Sequence, residues 1–395
     1  KGDASCQKHT YRPMPLRRAA LLAAAAVSVA ALLAWRRRRR VHLMRELCRR
    51  LPKAELHCHL SGCARLTTIA ELAPAGVDTS ALLVGSDDDR SLDACFAIFA
   101  AIHKTVTSLA AVERIAWEVL SDFAADNVKY LELRTTPRVL DDADLEGYVR
   151  ALLGVCARFD THQQGHPELA VWPMTTRLLL SIDRTGGLDK AMETVELAAR
   201  LRAEPPSGAD KYIVGLDFSG NPTRGTFADY VPAFEAAREA GLKVAAHVAE
   251  VDHPADNASI LRFRPERLGH ALLLSASDVA SLRASPIPIE LCPTSNLKTL
   301  KLRSMRDHPT MGVWLAEGYP VSISTDDSSV FGTSSSKELA LVAEALGLAA
   351  HQVVQLALAP LQHTFGASTQ GVEPLRRAFE RESAKLLAEQ RARGL

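Results

Sequence analysis

The sequence predicts an α/β chain folded as a (β/α)8 TIM barrel behind an N-terminal hydrophobic and basic extension. Two observations carry this. Eight short, strand-like apolar runs alternate with apolar-periodic stretches long enough for helices, the pattern of βαβ units whose parallel strands can close on themselves. The runs also end on polar residues, and several of those ends hold imidazoles or carboxylates, as expected where a barrel gathers its chemistry at the strand C-termini. Length agrees: 395 residues of average apolar and charged content suit one large domain with appendages.

The first fifty residues stand apart. They hold thirteen Lys and Arg against two acids, a net of +11, which leaves residues 51–395 at about −10. An acidic body argues against a nucleic-acid partner. Residues 19–35 are an Ala/Leu/Val run between Arg17-Arg18 and the block Arg36 to Arg40. That run is short against the ~20 residues that span a bilayer, and its Arg- and Ala-rich, acid-poor character also fits an organelle transit peptide. Residues 1–43 are therefore expected to form an extension, either a transit peptide or a membrane anchor, with membrane contact confined to residues 19–35. If they insert, the basic flank at 36–50 predicts that the body stays cytosolic. Residues 44–395 are expected to form the catalytic barrel, with Met44 giving a compact start for a cytoplasmic form that works as a monomer. The seven cysteines are odd in number and lack a Cys-x-x-Cys spacing, which suggests neither a disulfide framework nor a thiolate metal site and favours a reducing compartment.

The strand-like runs fall at 54–60, 128–136, 177–184, 212–220, 243–250, 267–274, 288–296 and 320–330. Residues 91–108, with Phe96, Phe99 and Ile102 at near-helical spacing, read as helix, as do 227–240 and 337–348. Residues 161–173 and 201–210, the latter containing Pro-Pro-Ser-Gly, read as loops of the outer ring. The charged amphipathic stretch 373–393 predicts a helix on the barrel exterior.

Chemistry enters at the strand ends. Side chains two apart on a strand share a face, so His57 and His59 can point together into the barrel mouth and hold one metal, while Cys58 turns outward into the core. A lone His-x-His is as often structural; the company of other donors raises it. His247 ends the fifth run, and Glu250 three residues later places a carboxyl where it could give or take a proton. His270 ends the sixth run, and Asp326-Asp327 follow the eighth. Imidazole and carboxylate donors without thiolates fit zinc or a related divalent ion with one position left for water. The fourth strand ends Leu216-Asp-Phe-Ser-Gly-Asn-Pro222, with no Lys available to bridge a second metal, so one ion per chain is expected.

These residues resemble a family. Leu51-Pro-Lys-Ala-Glu-Leu-His-Cys-His-Leu60, Leu216 to Pro222, His247-Val-Ala-Glu250, Leu268-Gly-His270, Cys292-Pro-Thr-Ser-Asn296 and Ser324-Thr-Asp-Asp327 occur in the order found in adenosine deaminases, across roughly residues 51–390. The fold implied is the barrel of metal-dependent hydrolases. Within the family, 95–103, Leu131-Glu-Leu-Arg-Thr-Thr-Pro-Arg138, Ser219-Gly-Asn-Pro222 and 326–331 are most similar to the adenosine deaminase-like branch, which acts on N6-methyl-AMP.

The resemblance implies roles. His57, His59, His247 and Asp326 would hold one Zn2+, which lowers the pKa of water from ~15.7 towards 7. Glu250 would protonate the purine ring nitrogen, and His270 and Asp327 would orient the attacking water and shuttle its proton. His59, Ser61, His103, Thr135, Thr136, Pro137, Arg138, Asp183, Gly220 and Asp327 would bind the substrate. Ser61 departs from the family, which carries Asp there in adenosine deaminases and commonly Asn in the methyl-AMP branch. A neutral residue allows a 5′-phosphate nearby, and the Thr135–Arg138 hydroxyls and guanidinium suit its oxygens. Lys298, Lys301 and Arg303 are rival phosphate partners. The expected reaction is hydrolytic removal of the N6 amine from a small-molecule purine nucleotide, giving IMP; the alternatives are adenosine deamination to inosine and a membrane-tethered binding protein on a deaminase fold. The Pro-Cys-x-x-Cys element of cytidine-deaminase-type sites is absent.

Overall fold

The computed structural model describes residues 16–74, 92–166, 172–204, 209–368 and 372–394, with 16–27, 92–93, 209–210, 367–368 and 372 as backbone only. A single sheet runs in the order of the chain: β1 (Lys53–His59), β2 (Val128–Thr135), β3 (Thr175–Asp183), β4 (Ile213–Ser219), β5 (Lys243–Val248), β6 (Arg267–His270), β7 (Ile289–Leu291) and β8 (Val321–Ile323). Every neighbouring pair is parallel, because each crossover carries helix that covers the sheet's outer face. Residues just beyond β8 close the barrel onto β1: the Asp326 amide donates to the His57 carbonyl at 2.9 Å and the His59 amide to the Asp326 carbonyl at 3.1 Å.

The last three strands are shorter than the apolar runs that predict them. After His270 the backbone turns through left-handed residues, His270 at φ 61° and Ala271 at φ 52°. After Leu291 and Ile323 the chain passes into helices Pro293–Thr299 and Ser328–Phe331. Part of the expected outer loops is helical as well. Helix Leu145–Gly165 takes in 161–165, and helix Leu188–Ala203 takes in 201–203. Residues 167–171 and 205–208 lie outside the described residues. The Asp144 carboxylate caps the first of these helices by accepting from the Gly147 amide at 2.8 Å.

The face of the sheet that turns inward is polar. Cys58 packs in the outer apolar core, while His57 on the same strand is fully buried with its ring turned to Glu290. Below the mouth, Arg134 Nη1 donates to Asp217 Oδ1 at 2.8 Å and its Nη2 to Glu290, and Arg267 donates to Glu132 Oε2 and to Glu290 Oε1, both at 2.5 Å. Charges without solvent access survive only when paired and hydrogen-bonded, and each of these carboxylates faces a guanidinium.

Ahead of the barrel runs helix α1 (Leu16–Arg50). Its last turns are anchored: Leu43, Met44, Leu47 and Cys48 are buried, and Arg45 and Arg50 pair with Glu344 and Glu389, each at 2.6 Å. Its preceding turns project, leaving Val29, Leu33 and Trp35 more than half exposed. Among the described residues, no helix is long and apolar enough to cross a membrane. The expected exterior helix is present as Val372–Ala392.

Candidate active site

Four donor atoms from β1, β5 and the turn after β8 meet at one point. His59 Nε2 lies 3.3 Å from His57 Nε2 and 3.2 Å from His247 Nε2, and Asp326 Oδ1 lies 3.5 Å from both His57 Nε2 and His59 Nε2. Second partners fix which nitrogens carry protons. His57 Nδ1 donates to the Glu290 carboxylate at 2.8 Å and His247 Nδ1 to the Phe218 carbonyl at 2.9 Å. The Nε2 atoms of both rings are therefore the ones turned to the common point, where each can offer a lone pair to a cation. Burial keeps His59 neutral, pulling its imidazole down to about 3. Burial opposes the ionisation of Asp326, yet the surrounding imidazoles of His57, His270 and His59 hold it well below the usual carboxylate range. Three lone pairs and an anion converging on one point repel one another unless a cation sits among them. Ligands ~2.0–2.2 Å from a tetrahedral ion lie roughly 3.3–3.6 Å apart, so the residues fit one divalent metal.

A second group of donors, His57, His270, Cys292 and Asp326, shares two members with the first. The first set is the better site. Burial raises the Cys292 thiol well above its ordinary range, and one ring nitrogen of His270 is engaged by Asn296 at 3.0 Å.

Around this centre the carboxyl groups divide. Burial raises Glu250, and burial together with the adjacent Asp326 charge raises Asp327 well above the ordinary range. Asp326 is thus a carboxylate while Glu250 and Asp327 are held towards their protonated forms, the separation that lets neighbouring acids take different roles. Asp327 lines the cavity, with its Oδ1 buried against Gly62. Its place depends on Gly62, where a Cβ would stand 1.7 Å from that same Oδ1.

The cavity at the strand C-termini encloses about 320 Å³ and is walled by His59, Ser61, His103, Thr135, Thr136, Asp183, Gly220, His247, Glu250, His270, Asp326 and Asp327. His57 sits behind this wall as the innermost donor. Ser61 Oγ lies 3.4 Å from His103 Nε2 at the mouth. Asp183 Oδ1 accepts from the Thr185 amide at 2.7 Å and its hydroxyl at 2.8 Å. Gly220, at φ 101°, has no room for a side chain, since a Cβ would meet Asp183 Oδ1 at 2.7 Å. Pro137 and Arg138 do not reach the wall; the Arg138 guanidinium donates to the Val106 carbonyl at 2.7 Å. Lys298, Lys301 and Arg303 also lie off it. The wall instead carries Arg224, Thr185 and the apolar Phe96, Phe99 and Phe331, of which Arg224 and Thr185 had no motif to mark them.

A parallel barrel with one His3Asp donor set and two carboxyl groups held towards their protonated forms at its mouth defines a metal-dependent hydrolase. The chain belongs to the adenosine deaminase family, whose model, described as "Adenosine deaminase", matches residues 52–372. Among its relatives, the N6-mAMP deaminase of Arabidopsis thaliana is 37% identical over 357 residues, covering 84% of this chain and 97% of the relative. The adenosine deaminase-like protein of Drosophila melanogaster is 34% identical, with 84% and 96% covered. Among solved structures, an ADAL–IMP complex superposes with a TM-score of 0.77 at 34% identity, covering 86% of this chain and 99% of that one. Arabidopsis ADAL complexed with GMP gives 0.75 at 35%, with 85% and 98% covered. A Zn-bound amidohydrolase at 22% identity and TM-score 0.72 shares the fold.

Proposed function

We propose that this chain hydrolyses N6-methyl-AMP to IMP and methylamine, with one zinc ion per chain held by His57, His59, His247 and Asp326. The observation that carries the reading is the convergence of that donor set with the buried Glu250 and Asp327 carboxyl groups in one nucleotide-sized cavity. The names of the Arabidopsis relative and of the IMP-bound neighbour support it.

When bound, zinc supplies a water activated for attack at neutral pH. The chain's residues do the rest. Glu250 donates its proton to the purine nitrogen beside the reacting carbon, which makes the ring electrophilic. Asp327 Oδ1 accepts a hydrogen bond from the attacking water or the leaving amine and so orients it. The amide at Gly220 can approach the purine edge because no side chain intervenes. At the outer end of the cavity Ser61, His103, Thr136 and Arg224 present hydroxyls, an imidazole and a guanidinium, groups that tolerate or attract a 5′-phosphate.

The deciding measurement is the specificity constant of the zinc-loaded chain on N6-methyl-AMP, AMP and adenosine. Preference for N6-methyl-AMP is the expected outcome; preference for adenosine would overturn the nucleotide assignment. Glu250→Gln is expected to lower kcat by ~10²–10⁴ or more with zinc content unchanged, and undiminished turnover would remove Glu250 from the proton transfer.

A further inference from the structure

Four groups link the protein backbone to the cavity through His270, and their hydrogen bonds can be read in only one direction. The amides of Thr310 and Met311 both point at His308 Nδ1, at 3.3 and 3.0 Å. An amide only donates, so His308 Nδ1 carries no proton and its Nε2 does. His308 Nε2 lies 3.1 Å from one side-chain atom of Asn296, which must then be the carbonyl oxygen. The Asn296 amide nitrogen is left facing His270 Nδ1 at 3.0 Å and donates to it. His270 Nδ1 is an acceptor, and the proton of the neutral ring sits on Nε2. That Nε2 faces the cavity, 3.6 Å from Glu250 Oε1. All three side chains are buried, so water does not compete for these positions, and the direction of the chain is set by two backbone amides rather than by any choice of ring or amide orientation.

We propose that Asn296 and His308 are positioning residues which lock His270 in the Nε2–H tautomer, so that neutral His270 is a hydrogen-bond donor to the reacting oxygen and not its base. Neither Asn296 nor His308 lines the cavity. The assignment of the reacting oxygen rests on the deaminase reading; the tautomer does not.

Two measurements test this separately. Nitrogen-15 NMR of the metal-loaded chain labelled at histidine, with His270 identified by the signal lost in a His270→Gln variant, is expected to show His270 protonated at Nε2 and bare at Nδ1. A His270 signal protonated at Nδ1 overturns the proposal whatever the enzyme's substrate. Asn296→Asp keeps the side chain's shape but makes it accept from both rings, which moves the His270 proton to Nδ1. A wrong tautomer at a catalytic histidine costs as much as ~10⁴ in kcat, and a fall of at least ~10²-fold is expected here, with KM and metal content held and the NMR signature exchanged. His308→Gln, whose amide can still donate to Asn296, is expected to retain most of the activity. Full kcat in metal-loaded Asn296→Asp overturns the proposal. If that variant does not fold, the spectrum of the unsubstituted chain decides.

Discussion

Single residues at the strand ends hold conformations and contacts that no other side chain would reproduce. Asp326 adopts φ 60° and His270 φ 61°, the left-handed region that costs a non-glycine residue ~1–2 kcal/mol and persists where surrounding structure over-determines it. Both sit at the point where a strand stops and its side chain must turn to the cavity. Gly62 acts through space alone. Gly62→Ala would place a methyl group where Asp327 Oδ1 now lies, so the carboxyl must rotate away. A fall in kcat of at least ~10²-fold, the usual worth of a positioned acid or base, is expected with metal content intact; steady-state kinetics beside metal analysis checks both, and unchanged kcat would show that Asp327 has no part in turnover. Sequence spacing alone pointed to His57, His59, His247, Glu250, His270 and the Asp326-Asp327 pair, because metal and proton chemistry restrict the residue types that can do it. Arg138 was a different matter. A guanidinium near a Thr-Thr run reads as a phosphate ligand, but whether it turns to the cavity or, as here, to the Val106 carbonyl depends on packing that spacing does not encode.

At the scale of elements, the strands carry two layers of information, one of them harder to read. Apolar outward positions alternate with inward ones, and eight such runs made the barrel legible. The inward set holds Glu132, Arg134, Asp217, Arg267 and Glu290, all buried. Their signal was present as charges at every second position, in Leu131-Glu132-Leu133-Arg134 and Ile289-Glu290-Leu291, yet a charge inside an apolar run ordinarily marks a solvent-facing position. Here the polar face is the barrel interior, and the partners come from strands far apart in sequence. Glu290 is the hub, since it binds Arg134, Arg267 and the Nδ1 of metal donor His57. Glu290→Gln removes the charge that offsets two buried guanidinium groups. Breaking such a set costs ~3–5 kcal/mol, and loss of the support behind a metal-binding imidazole lowers metal affinity ~10–100-fold. Denaturant unfolding and a competitive chelator titration are expected to register both losses, and a variant with native stability would show the charges to be independent of one another.

For the molecule as a whole, the metal donors lie across the weakest line of the barrel. Seven strand pairs are joined by ladders, but β8 and β1 are joined through a single bridge between Cys58 and Asp326. Its two backbone bonds involve the amides of Asp326 and His59 and the carbonyls of His57 and Asp326, so the residues that close the barrel are three of the four whose donor atoms converge on one point. His247 ties the same point to β5 on the far side. A bound metal therefore acts as a staple across the seam, and its binding energy is added to the stability of the closed form. An ion at ~100 times its dissociation constant contributes ~2.7 kcal/mol. Chelation is expected to lower the melting temperature and to raise amide hydrogen exchange first at 57–59 and 324–327, while β2 and β3, joined by a continuous six-residue register from Tyr130 to Thr135, stay protected. Exchange that rises evenly around the barrel would show that closure does not depend on the metal. Exchange that opens at the seam alone would show that one ion both completes the catalytic centre and holds its two flanking strands together.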